Sequence, residues 1–442
     1  MSDTCSASLQ VTERVGRVSS LRWNFSWTLF GNVIYSGCRW GVLIVLAKLS
    51  NPLLVGQYSL GLAIASPIIL FANLNLRSVQ TTDVREQTPF SHYLGFRLST
   101  TAAALLVVLV ILAFMKESVA TASLLFMVAV SQAVEAISDV YYGRMQFLDR
   151  MDKIAKSMIV RGPLSLLALA VILLLTGSLF WSMTGVVLMR LLVLLLYDAR
   201  RSVHGLNVPP FSERPNDLLR PKWDGASYFR VAKFCAPLGV ISLLGAFNGQ
   251  IPRYFIQGSL GTREVGIFSA MAFLSTSGSL VVQSLGQSAF VQMAKDFAAR
   301  RSDDFKRLLG KLLMLGAVLG AGGVLVAALM GRQLLTFLYR PEYAEHSSLF
   351  VLIMAAGAID YLSSMMGYAV TSARAFYPQI PLLAVVTLAS ILSSFFFIRS
   401  QGMIGAGLAT VCTSLTLLVG ETILLVRVLN GRHRVTEPLT AS

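Results

Sequence analysis

Charge is what this sequence has least of. Of its 442 residues 13% are charged and 55% apolar, whereas an ordinary globular chain is about one quarter charged. Too little polar surface exists to cover a water-soluble body of this length. A mean hydropathy of +0.67 makes lipid the solvent for most of the chain. Cysteine and histidine are scarce, at four each. Cys5, Cys38, Cys235 and Cys412 lie far apart, which excludes a disulfide framework or a paired-thiolate metal site; they read as small buried apolar residues. His92, His204, His346 and His433 form no zinc spacing. A G-x-x-x-x-G-K-[ST] phosphate loop, an H-E-x-x-H helix and a nucleophile elbow are all missing, so neither cofactor nor metal is expected. The net charge of +15 is spread between apolar runs instead of gathered on one soluble face, which argues against nucleic acid as a partner.

What the sequence has in quantity is long apolar runs. A helix needs about 20 such residues to cross a hydrocarbon core about 30 Å thick. Runs of this kind fall at 24–49, 53–76, 93–115, 119–142, 157–177, 180–199, 231–257, 264–290, 309–330, 347–371, 379–398 and 402–427. The expectation is an all-α, polytopic membrane protein of about twelve spans. Pro67 interrupts the second run, and Pro237 and Pro252 the seventh; such breaks are tolerated where backbone faces protein or water. The polar start, "MSDTCSASLQVTERVGRVSSLRW", reads as a tail before a membrane helix and not as a removable signal peptide. Lys and Arg concentrate in alternate connections, among them "RSVQTTDVREQ", "GRMQFLDRMDKIAKSMIVR" and "KDFAARRSDDFKRLLGK". By the positive-inside rule those face the cytoplasm, with both termini.

A proline-rich segment near the middle divides the chain into 1–204, a linker at 205–229, and 230–442. The halves echo each other. "VGQYSLGLA" (Val55–Ala63) returns as "VGIFSAMAF" (Val265–Phe273), and "DVYYG" (Asp139–Gly143) more loosely as "DYLSSMMG" (Asp360–Gly367). Six spans per half keep both halves in one orientation, so two bundles related by an axis along the membrane normal are expected, with a crevice between them.

A charge within a span costs about 2.5–3.5 kcal/mol on insertion scales and is a functional candidate by default. The basic candidates for holding a head group are Arg39, Arg77, Arg190 and Arg253, with Arg97 shallower. Arg39 and Arg253 lie on the first and seventh spans, equivalent in the two halves, so both are expected to point into one cavity. Guanidinium groups there suit a phosphate, which they grip by paired hydrogen bonds. The acidic candidates for ion coupling are Glu135, Asp139 and Asp360, with Glu421 beside them in the last span. The plain alternative is that these charges pair off, Arg39 with Glu135 for instance, and fasten helices together.

Two stretches carry a family resemblance. "LNLRSVQTTD" (Leu74–Asp83) and "GRMQFLDRMDKIAKSMIVRG" (Gly143–Gly162) resemble cytoplasmic segments of the Wzx-type O-antigen and capsular polysaccharide flippases, and "LSNPLLVGQYSLGLAIASPIILFANLNL" (Leu49–Leu76) is similar to their first loop and second helix. These belong to the superfamily of multidrug, oligosaccharidyl-lipid and polysaccharide exporters. The resemblance implies spans one, two, seven and eight around a cavity, in the bacterial inner membrane. The implied cargo is an undecaprenyl-diphosphate-linked oligosaccharide. Arg77 and Asp83 match one motif, Arg144 and Asp149 to Lys153 the other. Implied partners are membrane lipids, H+ or Na+, and the polysaccharide polymerase with its chain-length regulator. The alternatives are an ion-coupled drug exporter of the same superfamily, which requires an acidic cavity, and a membrane polymerase or ligase, which requires catalytic groups at the outer face.

Overall fold

The computed structural model describes residues 21–82, 89–115, 117–148, 150–203, 220–299, 301–373 and 378–429. Asp83 and Asp149, and most of the segment read as a linker, lie outside the described residues. The N-terminal half contributes α1 (Leu21–Leu49), α2 (Pro52–Asn73), a short α3 (Leu76–Thr82), α4 (Phe90–Phe114), α5 (Val119–Phe147), α6 (Met151–Thr176) and α7 (Leu179–Val193). A π-helical turn at Leu194–Asp198 joins α7 to α8 (Ala199–Val203). The C-terminal half contributes α9 (Gly225–Asn248), α10 (Ile251–Ser259), α11 (Thr262–Ala298), α12 (Ser302–Leu338), α13 (Pro341–Ala344), α14 (Ser347–Ser372) and α15 (Gln379–Leu429).

Every apolar run is matched by helix. α9 and α10 together form the seventh span, broken at Gly249–Gln250, with Pro252 near the start of α10. α15 is two spans meeting at Gly402, the one non-helical residue inside it, at φ 59°. Local chemistry explains the starts. The Asn51 side chain accepts from the Leu54 N–H at 3.0 Å and is followed by proline, and Ser118 accepts from the Thr121 N–H at 3.2 Å; both satisfy amides that a helix start leaves open. Pro67 does not interrupt α2, which continues to Asn73 and stops at Leu74 in the left-handed region.

Three segments read as loops are instead helical. α11 and α12 run 37 residues each, with only 299–301 between them. α5 extends to Phe147 and α6 begins at Met151, which brings Arg144 and Lys153 into helices. α9 starts at Gly225, inside the expected linker. The apolar layer shows best on α12. Exposed Lys311 and Arg332 bracket a stretch without charge, about 30 Å long at 1.5 Å per residue, from which Met314, Val318, Leu325 and Leu329 project, each at least 59% exposed. On a multi-pass membrane protein that surface belongs to lipid.

The hydrophobic cores fall into a pattern. At the end of the molecule where α1 finishes and α2 starts (the far end), one core joins both halves, including Leu46, Val55 and Val128 from the first and Ile256, Val265, Tyr339 and Phe350 from the second. At the opposite, Lys- and Arg-rich end there are two cores. One holds Leu74, Phe90, Tyr141 and Leu194; the other holds Met293, Phe305, Met365 and Leu424. The halves are therefore sealed at the far end, whereas at the basic end the two bundles have distinct cores and α9 of the second half joins the core of the first through Val231 and Cys235. The seal is backbone on backbone. A Cβ on Gly56 would lie 1.8 Å from the Thr262 carbonyl oxygen, and one on Gly266 2.1 Å from that of Pro52. Only glycine lets α2 and α11 approach so closely, and these are the Val-Gly pairs of the internal echo. Three hydrogen bonds also cross the halves here: Tyr254 OH donates to the Ala63 carbonyl at 2.5 Å, Arg340 to that of Lys48 at 3.0 Å, and Gln257 to the Glu117 carboxylate at 3.2 Å.

Candidate functional site

Each half encloses a cavity of its own. In the N-terminal half, α1, α2, α5 and α6 surround about 340 Å³ lined by Arg39, Asn73, Arg77, Gln132, Glu135, Asp139, Tyr142 and Arg161. In the C-terminal half, about 420 Å³ is lined by Asn248, Gln250, Arg253, Thr276, Asp360, Thr410, Thr413 and Ser414. Arg39 and Arg253 thus do not share one cavity as expected; each faces into its own half.

The arginines differ in how far they are committed. Arg39 is exposed and, among the described residues, has no hydrogen bond or ion pair. Arg77 pairs with Asp139 at 3.2 Å, donates to Gln146 Oε1 at 2.8 Å, and lies over the Tyr142 ring at 5.8 Å. Arg97, wholly buried, donates to Asn73 Oδ1 and lies 4.0 Å from Asp139. Arg190 pairs with Glu135 at 3.1 Å and donates to the Ser131 carbonyl at 2.9 Å. The structure therefore gives Glu135 to Arg190 and not to Arg39, and Arg190 stands behind the cavity wall.

Arg253 has a different task. It donates to the Gly249 carbonyl at 2.6 Å, to Gln250 Oε1 at 2.9 Å and to Ser269 Oγ at 2.9 Å, with the Phe268 ring 5.6 Å away. The Gly249 carbonyl is left open by the break between α9 and α10, and a cation at a helix C-terminus also suits its dipole. Arg253 fastens the broken span. Arg253→Lys keeps the charge but loses the planar fork. It is expected to lower the melting temperature nearly as much as Arg253→Ala, a loss of about 1.5–3 kcal/mol for hydrogen bonds to a charged group, read by thermal unfolding in detergent.

Sequence reasoning missed Arg161 and Asp198. They are 2% and 0% exposed and form a buried ion pair. Ser157 Oγ donates to Asp198 Oδ1 at 2.5 Å, Tyr142 OH meets Ser157 Oγ at 2.7 Å, and Arg161 also donates to Ser138 Oγ at 2.6 Å. A π-helical turn carries one residue more than an α-helical one and so rotates the helix beyond it; here it ends on Asp198, facing Arg161. The available signal was that Arg161 falls inside the apolar run 157–177.

Around the N-terminal cavity, then, stand Arg39, Arg77, Arg97, Arg161 and Arg190 against Glu135, Asp139 and Asp198, an excess of two positive charges. The Nε atoms of Arg97, Arg161 and Arg190 are buried without an acceptor among the described residues. Of the ion-coupling candidates, Glu135 and Asp139 are held in ion pairs. Asp360 lines the second cavity and has no ion pair among the described residues. Glu421 is buried in α15, with Oε2 unpartnered. No group of three or more metal-ligating side chains occurs among the described residues.

No protein-family model matches the chain. In sequence it is 24% identical over 397 residues, 90% of this chain and 97% of the other, to the capsular polysaccharide biosynthesis protein CapF of Staphylococcus aureus. In structure it is similar to the inward-facing conformation of a multidrug resistance MATE family transporter of the MOP superfamily, with TM-score 0.72 at 11% identity, covering 92% of this chain and 96% of that one. It is equally similar to the lipid II flippase MurJ in its inward closed conformation, with TM-score 0.71 at 11% identity over 92% and 87% of the two chains. The chain is thus a multi-pass, all-helical membrane protein with the fold of the MATE transporter and MurJ, and is similar in sequence to a capsular polysaccharide biosynthesis protein.

Proposed function

We propose that this protein is a flippase that moves undecaprenyl-diphosphate-linked oligosaccharide units across a bacterial inner membrane for O-antigen, capsule or exopolysaccharide synthesis. The observation that carries the reading is the N-terminal cavity, lined by three arginines against two carboxylates, with Arg39 uncommitted and further arginines directly behind its wall. The Nε of Arg161, which lines this cavity, is buried without an acceptor among the described residues, at a cost of about 1–3 kcal/mol, and a diphosphate is rich in acceptors. The similarity to CapF supports a role in polysaccharide synthesis, and the fold shared with MurJ supports a lipid-linked cargo. A drug exporter of cationic compounds would meet repulsion in this cavity. On the same reading the basic end is cytoplasmic, so the end with two distinct cores faces newly made substrate. A polyprenyl tail stays in lipid while the diphosphate and sugars, which hydrocarbon rejects, use the gap. Of Glu135, Asp139 and Asp360, Asp360 is the one without an ion pair among the described residues and so the candidate for H+ or Na+ coupling, and the polymerase and chain-length regulator would take over the product.

The test is binding of undecaprenyl diphosphate to the purified protein. Arg39→Ala is expected to weaken it by about tenfold or more, the value of one charge-assisted contact. Arg39→Lys should recover part of the loss. Equal affinity of parent and Arg39→Ala would remove the head-group site from this cavity.

A further inference from the structure

The exposed face of α11 has a composition that lipid does not accept. Thr276, Gln283 and Gln287, at i, i+7 and i+11, share one edge of the helix, with Ser284 and Ser288 beside them; all five are exposed. Their depth follows from α12, the antiparallel neighbour that begins three residues after α11 ends. Lys311 marks the basic boundary of the apolar layer on α12, and the same distance back along α11 falls near Ala289. Thr276 to Gln287 therefore lie at the level of the apolar layer. A primary amide facing hydrocarbon costs several kcal/mol, so this edge borders the gap between the halves.

Its hydrogen-bonding capacity is open and uncharged. Thr276, Ser284 and Ser288 donate to carbonyls of their own helix at 2.8–3.0 Å, which leaves the oxygens as outward acceptors. Gln283 has only a 3.5 Å contact with Ser279, and Gln287 has no hydrogen bond among the described residues. Leu280, 42% exposed, supplies an apolar patch among them. The track is continuous with the C-terminal cavity, because Thr276 lines both, and that cavity adds the hydroxyls of Thr410, Thr413 and Ser414 and the amide of Asn248. Its arginine, Arg253, is occupied by the helix break.

We infer that this hydroxyl and amide track on α11, with the cavity it leads into, binds the uncharged saccharide portion of the cargo, while the arginine-rich cavity of the other half holds the diphosphate. Donors and acceptors in alternation match sugar hydroxyls, and Leu280 offers a surface for the C–H face of a pyranose. The inference rests on the flippase reading.

Two probes separate the two ideas: the lipid-linked repeat unit extracted from the source cells, and undecaprenyl diphosphate with no sugar. The double variant Gln283→Ala/Gln287→Ala is expected to bind the glycosylated lipid about tenfold more weakly than the parent and the bare diphosphate equally well. Gln283→Asn/Gln287→Asn, which keeps the amides, should recover part of the difference. Arg39→Ala should weaken both probes. The inference is overturned if the alanine variant holds the glycosylated lipid as tightly as the parent does, or loses both lipids in the same proportion. If the parent binds neither lipid, the flippase reading itself falls.

Discussion

Asp198→Ala is expected to destabilise the folded protein by about 3–5 kcal/mol, the usual consequence of removing one partner from a buried ion pair. Arg161 cannot shed its charge, because guanidinium stays protonated under all conditions a protein survives. It would be left 2% exposed among Ser138, Ser157 and Tyr142, with hydroxyls for partners and no counter-charge. The companion variant makes the cause visible. Arg161→Met/Asp198→Ala removes both charges and leaves an apolar chain of similar length, and it is expected to recover most of the lost stability, because replacing a whole buried pair by apolar groups is often neutral. Thermal unfolding in detergent of the parent, both single variants and the double variant gives the coupling energy directly. If Asp198→Ala melts with the parent, the pair contributes no stability. The double variant should keep its fold yet bind undecaprenyl diphosphate more weakly, since Arg161 also lines the cavity.

The second large effect belongs to the glycine seam. Gly56→Ala places a methyl where only 1.8 Å separates it from the Thr262 carbonyl oxygen, and backbone does not yield as a flexible side chain would. The two helices must part by about 1 Å or more, and close-packed interiors do not absorb such a shift without losing contacts. The seal at the far end is expected to loosen and the protein to favour the state open on that side, with transport reduced more than tenfold. Val265, fully buried beside the seam, serves as reporter. In a cysteine-free background, Val265→Cys should resist a membrane-impermeant maleimide in the parent and react readily when Gly56→Ala is added. Equal labelling rates, with normal transport, would show that the seam does not gate. Gly266→Ala should behave alike, since its Cβ would meet the Pro52 carbonyl at 2.1 Å.

The fold was legible because hydrocarbon imposes a length. All twelve apolar runs correspond to helix, and even the shared seventh and the fused eleventh and twelfth lie where expected. What hydropathy cannot report is rotation about a helix axis. It gave no ground for choosing between Arg39 and Arg190 as the partner of Glu135, nor for placing Arg253 against the carbonyl of Gly249 instead of in a common cavity. It also does not say what a charge inside a span faces, which is how Arg161, within the run 157–177, was passed over. Asp198 was further hidden, because a π turn shifts its direction in a way that no period of 3.6 anticipates. The Val-Gly echo was visible as text, but its meaning is a distance between two backbones.

The seventh span does not belong wholly to either half. Its far-end piece, α10, packs on α15, while α9 also lies along α2 and reaches α4, with Gly239 against Leu74, Tyr228 edge-on to Phe96 at 5.3 Å, and the Lys222 N–H on the Ser91 carbonyl. Two rigid shells rocking on a common axis would tear that overlap each cycle. Either α9 peels from its neighbour or the joint at Gly249 flexes while the strap stays attached. On the proposed flippase reading the stroke would then be made by three bodies and not by two, with Arg253 at the elbow.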